Sequence, residues 1–143
     1  MTSYVVDASV AAKWLVPAGS EPLIPQAHRL LNDYLSGTIS VVVPDLFWAE
    51  LGNMLWKAVR RGRLTRVAAD LGFASMKEHR LATVPSLPFL DAALGMAMAH
   101  DRAVYDCIYL ALAAQSKQEL ITADERLVNA MAAHAPVKWL GTV

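Results

Sequence analysis

The stretch Tyr4-Val5-Val6-Asp7-Ala8-Ser9-Val10-Ala11-Ala12 decides the fold. A short β-branched run stops at an acid, and small apolar residues follow that suit a helix from Ala8 to Val16. Pro17 must end that helix, because the residue before a proline is pushed out of the helical region. A second segment repeats the pattern: Leu120-Ile121-Thr122 reads as a strand, Asp124 follows it, and a helix is expected from Glu125 to Ala133. Strands that feed helices in this way need crossover connections, which make neighbouring strands parallel.

The rest of the chain fits the same alternation. Gln26 to Leu35 places Ala27, Leu30, Leu31, Tyr34 and Leu35 on one helical face before Gly37, and Ile39 to Val43 is a strand. Pro44 and Asp45 suit the first turn of a helix to about Arg61, with Gly62 as its stop. Thr65 caps a helix to about His79, so these two form a helical hairpin. Leu81 to Val84 is a short strand. Phe89 to Met98 and Ala103 to Gln115 are helical, with a break near Asp101, and Val137 to Leu140 is the last strand. The expectation is an α/β three-layer sandwich, a short, mainly parallel sheet flanked by helices, in one domain over residues 1–143.

Composition excludes several classes. With 55% apolar and 18% charged residues in 143, the chain can build one core and is not disordered. A single cysteine, Cys107, allows no intramolecular disulfide and no paired-cysteine metal or redox motif. The longest uncharged stretches, Tyr34 to Pro44 and Leu127 to Val137, hold 11 residues each, too few to span a bilayer. Asp7 would interrupt a signal peptide, so a cytoplasmic protein is expected. The formal net charge is zero, but Lys57, Arg60, Arg61, Arg63 and Arg66 form a run of +5 without an acid, leaving −5 for the rest. Mean hydropathy of +0.32 suggests that another chain covers part of the surface.

Acids where a core should be are the informative anomaly. Asp106 is the only charged residue between Arg102 and Lys117, and Glu50 lies too deep in its helix to serve as a cap. Asp7 and Asp124 each follow a strand, at the carboxyl edge where open α/β sheets place their ligands. Each of the three aspartates alone reads as a helix cap; Glu50 does not. If all four meet, their charge calls for a cation, and oxygen-only donors point to Mg²⁺ or Mn²⁺. Such an ion commonly also engages phosphate oxygens, which makes a phosphodiester or phosphoryl substrate the natural companion.

Four segments in this order resemble the PIN-domain nucleases, and within them the VapC-type toxins of toxin–antitoxin pairs. They are Val5-Val6-Asp7-Ala8-Ser9-Val10, Pro44-Asp45-Leu46-Phe47-Trp48-Ala49-Glu50-Leu51, Tyr105-Asp106-Cys107-Ile108-Tyr109-Leu110-Ala111-Leu112-Ala113 and Leu120-Ile121-Thr122-Ala123-Asp124-Glu125-Arg126-Leu127. The resemblance places an acidic tetrad on Asp7, Glu50, Asp106 and Asp124, with assisting hydroxyls on Ser9 and Thr122. It implies a Mg²⁺- or Mn²⁺-dependent endoribonuclease that hydrolyses RNA to a 5′-phosphate and a 3′-hydroxyl. It also implies a homodimer inhibited by a cognate antitoxin, higher assembly with that antitoxin, and contact with DNA only through it. No membrane partner is expected.

The basic run reads either as an RNA-backbone contact or as a solvated helix end that complements the helix dipole. Trp14, Trp48 and Trp56 lie on apolar helical faces and are expected in the core, although one could line the groove that the antitoxin occupies in such toxins. Met96 and Met98 suit a core or a dimer contact, the four histidines are scattered, and Cys107 is expected to be inert. Two competing readings are a phosphoacceptor signalling domain, which also gathers acids at a sheet edge, and a catalytically idle module that only binds the antitoxin and regulates an operator. The first lacks a lysine after a late strand and gives Glu50 no role.

Overall fold

A computed structural model describes residues 1–143. Five strands, β1 (Thr2–Val6), β2 (Ile39–Pro44), β3 (Ala82–Val84), β4 (Glu119–Thr122) and β5 (Val137–Trp139), form one sheet in the order β3-β2-β1-β4-β5. Every neighbouring pair is parallel, so the sheet is wholly parallel rather than mainly so. Seven α-helices connect the strands: α1 (Ala8–Ala12), α2 (Ile24–Leu35), α3 (Leu46–Arg60), α4 (Arg66–Glu78), α5 (Leu90–His100), α6 (Val104–Ser116) and α7 (Glu125–Met131). Right-handed crossovers put the connections from β1 to β3 on one face and those from β3 to β5 on the other. The sheet order reverses between β1 and β4, which opens a crevice at their carboxyl ends.

Val5, Val6, Leu120 and Ile121 are buried because both faces of the central strands are covered. Phe47 and Leu51 of α3 and Leu110 of α6 are buried in the same core. A separate small cluster joins Ala93 of α5 to Cys107 and Ile108 of α6, which leaves the thiol of Cys107 shielded.

Several boundaries differ from the sequence reading, each for a local reason. Helix α1 ends at Ala12 instead of Val16, since Lys13 closes it and the Trp14 indole turns to donate to the Ala27 carbonyl at 2.7 Å. That bond ties the chain to α2, which starts at Ile24 rather than at Gln26, with Pro25 inside its first turn. Pro44 ends β2 instead of opening α3; Asp45 turns its carboxylate to the Ser86 amide, 3.2 Å away, and to the Ser86 hydroxyl. Phe89 belongs to a 3-10 turn, Leu87–Phe89, because Pro88 stands in it. Replacing Trp14 with Phe removes one buried hydrogen bond and part of a packed ring, so Trp14→Phe should cost about 1–2 kcal/mol in urea unfolding, without altering the far-ultraviolet spectrum.

Candidate active site

The central crevice is built by two strand ends held in register. Asp7 is the N-cap of α1 and is almost fully buried; one carboxylate oxygen accepts the Ser9 amide at 3.0 Å and the Ser9 hydroxyl. The same hydroxyl oxygen accepts the Ala123 amide at 3.1 Å, so Ser9 joins the end of β1 to the end of β4. Thr122, fully buried, accepts the Asp124 amide at 3.1 Å. Asp124 caps α7 through the amides of Arg126 and Leu127, at 3.0 and 3.2 Å. Asp7 and Asp124 are thus caps and still face the crevice, because capping occupies one oxygen of each.

The helices deliver the other two acids. Glu50 is in the second turn of α3, where no free amide is available, and accepts the Tyr109 hydroxyl of α6 at 2.7 Å. Asp106 lies in the first turn of α6, yet Ala103 is the N-cap of that helix, so Asp106 is not a cap. It has no hydrogen bond among the side-chain bonds of the structure and no ion-pair partner.

Asp7, Glu50, Asp106 and Asp124 line one small pocket of about 140 Å³, together with Ser9 and Tyr109. The chain's three ion pairs, Lys13–Glu21, Arg63–Glu21 and Arg66–Asp70, involve none of them. Burial is the main reason that the Asp7 carboxyl is raised from 3.8 to about 6; the hydroxyls of Ser9 and Thr122 pull it back, and Asp106 pushes it further up. Burial also raises Glu50, opposed by the Tyr109 hydrogen bond and assisted by Asp106. Asp106 is raised by burial and by Asp124, and Arg102 works the other way. Asp106 therefore stands in the field of the other three acids, and uncompensated negative charge marks the pocket as a functional candidate.

These donors suit a hard divalent cation, being four carboxylates with no nitrogen or sulfur ligand among them. They do not yet close around one, for no three acids converge on a common ion position as they stand. The local reason is visible in the partners: Glu50 is drawn to Tyr109, and Asp124 to its own helix amides.

The basic run divides. Lys57, Arg61 and Arg63 line a larger pocket of about 400 Å³ that shares Ser9, Met54 and Asp124 with the acidic one. Arg60 instead lies over the Trp56 ring, 4.9 Å from its centroid, and Arg66 pairs with Asp70 on α4. Sequence reasoning missed three participants. Tyr109 holds Glu50, Lys13 lines the basic pocket, and exposed Tyr105 lies beside Glu50 and Lys57 in a neighbouring depression. Tyr109 had a signal, as a polar side chain one turn after Asp106 in an apolar helix. Lys13 had none, because its role depends on where α1 ends. Trp14 is in the core as expected, Trp48 is partly buried, and Trp56 is 52% exposed. His100 and His134, distant in sequence, stack with ring centroids 4.3 Å apart.

The pattern of the family described as "PIN domain" matches residues 4–132. A curated relative, Ribonuclease VapC3 of Pyrobaculum aerophilum, is 34% identical over 132 residues, covering 87% of this chain and 92% of the relative. Among solved structures, PAE2754 from Pyrobaculum aerophilum superposes with a TM-score of 0.73 at 23% identity, over 99% of this chain and 91% of that one. A toxin–antitoxin complex from Klebsiella pneumoniae gives 0.58 at 15% identity, over 94% and 95% of the two chains. The last two likenesses bear on the fold.

Proposed function

The chain belongs to the PIN-domain family and its VapC ribonuclease branch, and from that premise we propose that it is a divalent-metal-dependent endoribonuclease, the toxin of a toxin–antitoxin pair. One observation carries the reading: four carboxylates from two strand ends and two helices line a single pocket in which no basic side chain pairs with them. Asp7, Glu50 and Asp106 would hold one Mg²⁺ or Mn²⁺, directly or through water, with Asp124 supporting a second ion or orienting the attacking water. A bound ion supplies Lewis acidity toward a phosphate oxygen and a lowered pKa for water. The residues do the positioning. Ser9 and Thr122 fix the strand ends from which Asp7 and Asp124 project, and Tyr109 fixes one oxygen of Glu50.

The partner surfaces belong to the same reading. A groove of about 300 Å³ between α3 and α4, lined by Leu55, Trp56, Val59, Ala69 and Phe73, is the proposed seat of the antitoxin. Leu94 and Met98, one turn apart on α5 with Met98 77% exposed, offer apolar area to a second copy. Contact with DNA would then come only through the antitoxin.

Incubating the purified chain with total RNA and Mn²⁺, with and without EDTA, and sequencing the fragment ends tests the activity. Discrete cuts with 5′-phosphates that vanish in EDTA are expected. Cleavage that persists in EDTA would remove the metal, and no cleavage at all would leave only a binding module.

A further inference from the structure

Outside the four acids, the best-defined polar arrangement is in the neighbouring basic pocket. Lys13 closes α1, its side chain is only 11% exposed, and its ammonium donates to Glu21 Oε1 at 2.8 Å and to the Pro22 carbonyl at 2.8 Å. The other oxygen of Glu21 meets the Arg63 guanidinium at 3.4 Å. Glu21 is thus an internal anion shared by two cations. Lys57 and Arg61 line the same pocket, which opens onto Asp124 and Ser9, so four cations face two carboxylates immediately beside the acidic pocket.

We propose that this pocket is a subsite for an RNA backbone phosphate next to the scissile one, and that the Glu21 carboxylate occupies the phosphate position until substrate displaces it. The inference rests on the ribonuclease reading above. Its geometry is that of a stand-in: a carboxylate between an ammonium and a guanidinium has the charge and donor partners that a phosphate would take. The Arg63 half of the clasp is long and half-exposed and contributes little, so the short, largely buried Lys13 pair is the contact that an incoming phosphate has to replace. Substrate entering the pocket would exchange one anion for another and swing the segment around Glu21 away from Lys13 and Arg63. The remaining cations, Lys57 and Arg61, would follow the strand along α3.

The experiment uses the full-length chain and a short labelled single-stranded RNA in EDTA, with affinity measured over a range of salt concentrations. Glu21→Gln should tighten binding by about threefold or more, because the anion that competes for Lys13 and Arg63 is gone. Lys13→Met and Arg63→Gln should weaken binding and each reduce the slope of log affinity against log salt by about 0.7. The gain from Glu21→Gln should shrink in the Lys13→Met background, because one of the two cations for which Glu21 competes is then gone. In Mn²⁺, Glu21→Gln should lower KM for RNA cleavage and leave kcat unchanged. Unchanged or weaker binding by Glu21→Gln would make the clasp a fastening of the loop alone and overturn the proposal. Wild-type chain that fails to cleave any RNA in Mn²⁺ would overturn the underlying reading, whatever the salt slopes show. Arg63→Gln guards against a folding defect in Lys13→Met, since Arg63 is exposed and its loss leaves the core untouched.

Discussion

Asp106→Asn should reduce Mn²⁺-dependent RNA cleavage by about a thousandfold or more, without lowering the melting temperature of the metal-free protein. The first half follows from charge: losing one anionic ligand from an all-oxygen site forfeits several kcal/mol of transition-state stabilisation, and each 1.36 kcal/mol is tenfold in rate. The second half follows from the surroundings of Asp106, which has neither a hydrogen bond nor an ion pair to lose. Its carboxyl is raised by burial and by Asp124, so the ionised form is a burden on the fold at neutral pH, and the neutral amide relieves it. Single-turnover cleavage and a thermal melt, run on the same preparation, check both halves. Cleavage within tenfold of wild type, or a melting temperature several degrees lower, would give Asp106 a structural role in place of the one assigned.

The metal-free chain should also lose stability as the pH rises from about 4 to about 7. Asp7 is raised from 3.8 to about 6 in the folded state, chiefly by burial, so the folded chain holds a proton that the unfolded chain releases. Stability from this group is complete below the unfolded value and is lost as the pH climbs through the folded one, a total of roughly 3 kcal/mol. Glu50 and Asp106 are shifted in the same direction and add to the trend. Urea unfolding of wild type against Asp7→Asn isolates the group: the variant's advantage should widen by about 2 kcal/mol between roughly pH 4.5 and pH 7.5. Asn is a good N-cap, so the substitution does not itself undo α1. Adding Mn²⁺ at the higher pH should restore stability to wild type and much less to the variant, because a ligand stabilises the state that binds it. A pH profile that is the same for both proteins would remove Asp7 from the metal-free electrostatics.

These expectations rest on features that were legible to different degrees. The two strand–acid–helix units were plain in the sequence, because β-branched runs and N-cap aspartates are local signals. Glu50 was legible as an anomaly, an acid in an apolar helix, but its partner was not: Tyr109 lies 59 positions away, and only the fold, which brings the two side chains together at the crevice, joins them. The basic run looked uniform as a sequence. Helix geometry split it, turning Arg60 onto Trp56 and Arg66 onto Asp70, while Lys57, Arg61 and Arg63 face the crevice. Lys13 joined them because α1 stops at Ala12, a boundary set by the bond from Trp14 to Ala27 and by no residue within the helix.

The chain's sequence alone determined the alternation of strands and helices, the parallel sense of the sheet and the identity of the four acids, since hydrophobic period, capping and crossover length act over a few residues. The tertiary structure decided which side chains surround those acids. It put a tyrosine on one, left another without a partner, and set a clasped glutamate among cations in the pocket next door. Such neighbours come from elements far apart along the chain, and their charges interact through space at distances that only the folded backbone fixes.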